Sequence, residues 1–249
     1  MSSDFPYLGE EDRFRFPDPE RATLEGIVAA GGNLSPGMLL SAYSQGIFPW
    51  FSEHDPMLWW SPDPRFVLFP EKLHVSKTMR KFLRRTDLTF TADTAFTEVI
   101  RACARVPRDG QDGTWITTEM EAAYAEMHTL GYAHSVEVWS GADLVGGLYG
   151  VSLGNIFFGE SMFSHVSNAS KAAFIRFVRR LTDLGFDLID SQVYTHHLER
   201  LGAEEIPRSR YLELLRRGLT RPTMKGSWRG LLDSDEQWAP IPVTIGARP

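Results

Sequence analysis

The stretch from Phe157 to Gln192 constrains this chain more than any other. Phe157-Phe158-Gly159-Glu160-Ser161-Met162-Phe163-Ser164 has the aromatic composition of a strand, yet a carboxylate sits in its middle. A helical pattern over 169–184 follows, stopped by Gly185, and Leu188-Ile189-Asp190-Ser191-Gln192 then reads as another strand within 187–193. Successive strand side chains alternate, so the pattern predicts Asp190 and Gln192 on one face and Ser191 on the other. Two acids and an amide among large apolar residues on neighbouring strands mark a candidate site, because burying them gives an apolar sheet no structural gain.

The surrounding pattern is mixed α and β. Strands are expected over 66–69 and 88–92, with helices over 75–85, 96–104 and from Thr117 or Thr118 to about 130. Strands over 134–139, 144–152 and 155–163 are joined by tight turns at 140–143 and 153–154 into an antiparallel meander. A last helix is expected over 208–217. Meander, helix, returning strand is the order of the GNAT-like acyltransferase core, so the expected class is α+β, a mixed sheet flanked by helices. Before it, residues 1–63 are rich in Pro, Gly and aromatics and read as a small N-terminal domain, with 64–249 as the catalytic domain. Helices are expected there near 20–30 and 36–45, the second opened by Pro36 after a Ser35 cap. Trp50, Trp59 and Trp60, broken by prolines, suggest a stiffened loop that covers the core or forms an aromatic wall for a ring-bearing ligand.

Several classes are disfavoured. No run approaches the roughly 18 apolar residues of a membrane span, and the acidic, Pro-punctuated start lacks the apolar region of a signal peptide. Cys103 is the single cysteine, which fits a reducing, cytoplasmic setting. The seven histidines are scattered, with no HExxH or Cys/His cluster, so no metal is expected. There is no GxSxG elbow. The loop 164–171 contains no glycine, and close backbone approach to a diphosphate usually needs one, which counts against coenzyme A. Asn168 or Ser167 suits a helix cap.

The net charge of −6 excludes a generic nucleic-acid-coating protein, so any such contact must be local. Lys77, Arg80, Lys81 and Arg84, spaced i, i+3, i+4, i+7 with Arg85 beside them, give one basic helix face suited to a phosphate backbone. Phe157, Met162 and Phe177, with Leu148 on the adjacent strand, could line an apolar pocket. Strict alternation separates Phe157 from Met162. They share a pocket only if the strand bulges, and Gly159 is where a bulge would sit.

GIFPWF (46–51), WWSPDPR (59–65), GTWIT (113–117), GGLYG (146–150), FFGESMFS (157–164), NASK (168–171), LIDSQ (188–192) and HLERLGAEEIPR (197–208), in this order, resemble the leucyl/phenylalanyl-tRNA–protein transferase family. The resemblance runs from about 31 to 215. It implies transfer of Leu or Phe, and by extension Met, from aminoacyl-tRNA to proteins beginning with Arg or Lys, which marks them for N-end rule degradation. It implies Asp190 and Gln192 as a catalytic pair, with Glu160 orienting the acceptor or the pair. Trp50 and Trp115 would hold the terminal adenosine, and Phe157, Met162, Ser164 and Phe177 would lie in or beside the amino-acid pocket. Leu148 keeps that pocket apolar but less pliable than a methionine would.

This chemistry needs no cofactor. Aminoacyl-tRNA is an activated ester, and an α-amine of pKa about 8 is partly neutral at pH 7, so positioning is the main requirement. Asp190 is expected to accept a hydrogen bond from the amine, directly or through Gln192, and the protein is expected to be a monomer. The competing classes are a coenzyme-A acetyltransferase and a non-catalytic tRNA-end or peptide-binding module, followed by a peptidoglycan-bridge transferase.

Overall fold

Proline and glycine frame the first sixty residues of the computed structural model, which describes residues 6–52, 55–106 and 115–232. Helix α1 (Pro36–Ser44) starts at Pro36, whose fixed φ suits a first turn. The helix expected over 20–30 does not form. Thr23 accepts from Gly26 and from Ile27, Gly26 takes φ 100°, and this turn redirects the chain into strand β1 (Ile27–Ala30). The tryptophan-rich segment is likewise not a loop throughout. β2 (Phe48–Pro49) and β3 (Leu58–Trp60) pair antiparallel, and β3 is central in a three-stranded sheet of order β1-β3-β2.

The next segment alternates strands and helices as expected: β4 (Arg65–Leu68), α2 (Lys77–Arg85), β5 (Thr89–Ala92), α3 (Phe96–Arg105) and α4 (Thr118–Thr129). Thr117 caps α4 by accepting the Met120 N–H, and Ser76 caps α2 by accepting that of Met79. The meander follows as β6 (Ala133–Ser140), β7 (Asp143–Leu153) and β8 (Ile156–Ser164), then α5 (Ala169–Asp183) and β9 (Leu188–Asp190). Short α6 (His196–Glu199), β10 (Glu204–Ile206) and α7 (Arg208–Gly218) complete the order. Strands run β10-β4-β9-β8-β7-β6-β5, and only β9 returns parallel to its neighbour β8. This is the GNAT-like order of meander, helix and parallel return.

The sheet separates two apolar layers. One side packs against α1, α3, α4 and α7, and its core joins Leu39 and Tyr43 of the N-terminal region to Tyr149, Val151 and Tyr211. The other packs against α2 and α5 and includes Phe157, Phe177 and Trp228. No helix among the described residues is long and apolar enough to cross a membrane.

Two irregularities open the sheet. Gly150 pairs with Gly159 but Tyr149 pairs with Ser161, so Glu160 is an extra residue bulged out of β8. Gly150 permits this, since a Cβ there would collide with the Phe158 carbonyl. β9 is also shorter than the strand expected over 187–193. Its last pair with β8 is Phe158↔Asp190, after which the two strands part.

Candidate active site

A cavity of about 760 Å³ occupies the gap where β8 and β9 part. Trp50, Trp115, Leu148, Phe157, Glu160, Met162, Ser164 and Gln192 all line it. The bulge puts Phe157 and Met162 on the same cavity. Gly113 and Thr114 of the GTWIT motif lie outside the described residues.

The strand register predicted for Asp190, Ser191 and Gln192 is corrected. Regular pairing ends at Asp190, and Gln192 adopts φ 64°. Ser191 and Gln192 therefore both line the cavity, whereas Asp190 does not. A left-handed conformation costs a non-glycine residue about 1–3 kcal/mol, so it must be held from outside. Asp190 holds it: its Oδ1 accepts the Gln192 backbone N–H at 2.9 Å.

Asp190 is itself fully buried and enclosed. Arg65 donates from Nε to Oδ1 at 2.8 Å and from its terminal nitrogen to Oδ2 at 2.7 Å, and the Tyr211 hydroxyl donates to Oδ2 at 2.7 Å. The guanidinium lies between the rings of Phe48, at 4.8 Å, and Tyr211, at 4.4 Å. Burial opposes the charge on Arg65, but Asp190 and Tyr211 hold its pKa above the ordinary value. Burial and the Asp190 charge push the Tyr211 phenol well above 10. With these donors in place, Asp190 has no side-chain face turned to the cavity. Of the two routes expected from the sequence, a direct hydrogen bond from the amine to Asp190 does not fit this geometry, whereas action through Gln192 does.

Glu160 is the carboxylate at the cavity. Its Oε1 accepts from the Tyr43 hydroxyl at 2.7 Å and from Gln192 Nε2 at 2.8 Å, and its Oε2 accepts from Tyr124 at 3.1 Å. The two tyrosine hydroxyls also touch each other. Burial pushes the Glu160 carboxyl up to about 7, against the downward pull of these three donors. Burial and the Glu160 charge raise both tyrosines well above 10, so they stay protonated as donors. Because Gln192 donates through Nε2 to Glu160, its carbonyl Oε1 is left for the cavity side.

The apolar wall is wider than expected, and Phe177 lies beside it rather than in it. Phe177 stands behind the lining, edge-on to Phe157 at 4.7 Å. Phe174 and Ile189 line the cavity in addition to Leu148, Phe157 and Met162. Ser164 sits exposed at the rim and bridges the loop, donating to the Val166 carbonyl at 2.8 Å and accepting the Ser170 N–H at 3.2 Å. It thereby caps α5, while Asn168, at the cap position with φ 68°, makes no side-chain cap bond. At the opposite wall Trp60 donates from Nε1 to the Trp50 carbonyl at 2.6 Å, and the two indoles lie 5.5 Å apart. Lys77, Arg80, Lys81, Arg84 and Arg85 are exposed on α2, outside the cavity, while Met79 and Leu83 anchor its other face.

Tyr43, Tyr124, Arg65 and Tyr211 were not singled out from the sequence. Tyr124 and Tyr211 lie on the apolar stripes of their helices, and Tyr43 on a helix buried at every position from Pro36 to Tyr43, where a phenol reads as core. Arg65 carried a usable signal, a charge opening the otherwise apolar strand Arg65-Phe66-Val67-Leu68.

The model of a family described as leucyl/phenylalanyl-tRNA protein transferase matches residues 67–216, and that of its N-terminal domain matches 32–63. A leucyl/phenylalanyl-tRNA–protein transferase of Myxococcus xanthus is 55% identical over 221 residues, 89% of this chain and 94% of that one. One from Syntrophus aciditrophicus is 56% identical over 213 residues, 86% and 89% of the two chains. Likeness to solved structures is slight. A GCN5-related N-acetyltransferase from Kribbella flavida gives a TM-score of 0.35 at 10% identity, covering 69% of this chain and 61% of that one. The L-PGS structure from Bacillus licheniformis gives 0.38 at 11%, covering 64% and 54%.

Proposed function

The chain belongs to the leucyl/phenylalanyl-tRNA protein transferase family, and from that premise we propose how its cavity joins an amino acid to a protein. It is an aminoacyltransferase that moves Leu or Phe from tRNA to a protein N-terminus. The acceptors proposed are cytoplasmic proteins beginning with Arg or Lys, whose modification marks them for N-end rule degradation. The observation that carries the reading is the Tyr43–Tyr124–Glu160–Gln192 chain, which ends with a fixed carbonyl on an apolar, tryptophan-flanked cavity.

In this reading Trp50 and Trp115 stack on the terminal adenosine, and Leu148, Phe157, Met162, Phe174 and Ile189 take the Leu or Phe side chain. Gln192 Oε1 accepts an N–H of the incoming α-amine and points its lone pair at the ester carbonyl. The nitrogen attacks, the C–N bond forms, and the C–O bond to the terminal ribose breaks. The proton lost by nitrogen ends on the departing ribose oxygen. No strong base is needed, since the amine is partly neutral near pH 7 and alignment supplies several kcal/mol. Ionised Glu160 fixes the Gln192 amide and adds negative charge for an acceptor that bears two positive groups. Asp190 is a positioning residue that holds the left-handed turn at Gln192. Residues 1–63 are assigned as the N-terminal domain, which contributes Tyr43 and Trp50, and 64–249 as the catalytic domain. The basic face of α2 (Lys77, Arg80, Lys81, Arg84, Arg85) is assigned to the tRNA backbone.

The test is transfer of labelled Phe from Phe-tRNA to a protein with N-terminal Arg. Label should appear, be abolished by ribonuclease, and be absent from a Gly-ended control. Labelling of the Gly-ended protein at the same rate would remove the acceptor assignment.

A further inference from the structure

One ring of the apolar cavity wall, that of Phe157, is backed by two further aromatic rings that do not line the cavity. Phe157 lines the cavity, and its ring lies over Gly150, where an added Cβ would come within 2.6 Å of it. Phe177 meets it edge-on at 4.7 Å, and Trp228 packs against both, with centroids 6.1 Å from Phe157 and 6.0 Å from Phe177. These separations fall within the contact range of aromatic pairs, roughly 4.5–7 Å between centroids. Trp228 is 2% exposed, does not line the cavity, and lies beyond residue 216, where the family match ends.

Its placement is fixed by a cluster that the transfer chemistry does not use. Asp93 Oδ2 accepts the Trp228 backbone N–H at 2.7 Å, and the Asp93 carbonyl accepts from Arg229 Nε at 3.0 Å. The indole Nε1 donates to the Met224 carbonyl at 3.1 Å. The ring stacks on buried His134 at 3.6 Å with an interplanar angle of 3°, and His134 Nδ1 lies 3.0 Å from Asp93. Burial holds the His134 pKa below its ordinary value despite Asp93. A tryptophan tied down at its backbone, at its indole nitrogen and across its ring face resists displacement when Phe157 is pressed from the cavity side.

We propose that Trp228 is a specificity-determining positioning residue: it backs Phe157 and so sets the depth of the amino-acid pocket and its preference between Leu and Phe donors. This rests on the transferase reading above. With the indole shortened, the Phe157 ring gains room to withdraw. A deeper pocket keeps contact with a phenyl ring but loses it with the shorter isobutyl group.

The experiment compares kcat/KM for Leu-tRNA and Phe-tRNA in the wild-type chain, Trp228→Leu and Trp228→Phe, each first checked for a cooperative unfolding transition. Trp228→Leu should raise the Phe-to-Leu ratio roughly tenfold, the lower end of what one methylene of pocket fit contributes. Trp228→Phe, which keeps a ring in place, should shift it in the same direction by roughly threefold. If Trp228→Leu does not fold, the Trp228→Phe ratio decides. Loss of both donors in equal proportion, with the ratio unmoved in a folded variant, would assign Trp228 to core packing alone and overturn the proposal. Wild-type protein that transfers neither donor would instead overturn the transferase reading.

Discussion

Glu160→Gln separates the cost of the buried carboxylate from its use. The carboxyl is raised from 4.5 to about 7, chiefly by burial, and about 2.5 units at 1.36 kcal/mol each is roughly 3 kcal/mol. The sign follows from proton binding. Between pH 4.5 and 7 the unfolded chain has released this proton and the folded one keeps it, so stability falls as pH rises through that window and levels off above it. The amide of the variant cannot titrate; its single carbonyl can keep the Tyr43 and Gln192 donors of Oε1, while its NH2 group takes the place of Oε2 beside the Tyr124 hydroxyl, which can turn to accept. Unfolding in urea at pH 4.5, 5.5, 6.5 and 8 should show the wild type losing roughly 3 kcal/mol relative to Glu160→Gln across the series. Transfer activity of the variant should nonetheless drop, because the Gln192 amide is deprived of its charged anchor. A stability difference that does not change between pH 4.5 and 8 would refute the reasoning, since it would mean that burial does not disfavour the charged form of this carboxyl.

Three further outcomes follow from the same geometry. Asp190→Asn strands the buried Arg65 guanidinium and should cost about 3–5 kcal/mol in denaturant unfolding; in the fraction that folds, turnover should fall much further than tRNA affinity, and equal losses would sink the positioning role. Replacing Lys77, Arg80, Lys81 and Arg84 together by Ala should flatten the plot of log K for tRNA against log salt by about 0.7–0.9 for each phosphate no longer neutralised, with the single-turnover rate at saturating tRNA unchanged; an unaltered slope would take the backbone contact away from this face. Ile should transfer at least roughly tenfold more slowly than Leu, because branching at Cβ crowds the pocket mouth; comparable rates from Ile-tRNA would contradict that.

The sequence was most legible where local physics is strong. The meander, α5 and the parallel return follow from alternation, helical periodicity and turn residues, and their boundaries fall within a few residues of expectation. The bulge was legible as a conflict, because Phe157 and Met162 could share a wall only if the strand broke step near Gly159. Three expectations changed, one where a local pattern lost to a tertiary partner and two where a side chain nearby in sequence overrode it. The helix expected over 20–30 lost to pairing with β3. The strand through Gln192 was ended by a left-handed turn that Asp190 stabilises from below. Asn168, expected with Ser167 as a candidate cap of α5, holds the N-cap position, but the side-chain capping bond comes from Ser164. The Glu160 network was illegible for a different reason. Tyr43 and Tyr124 are 81 residues apart, and nothing in either helix distinguishes a phenol meeting a distant carboxylate from one packed in a core.

In the proposed mechanism Gln192 aligns the amine, with Asp190 and Glu160 acting through it. The most direct test is the single-turnover rate of peptide-bond formation in Gln192→Ala at saturating Phe-tRNA, measured alongside the dissociation constant for the same tRNA. The rate should fall by about a hundredfold or more, as expected when an orienting group is removed, with tRNA binding unchanged within about threefold. A variant that forms the bond at the wild-type rate, or whose rate falls only as far as its tRNA affinity does, would contradict the account.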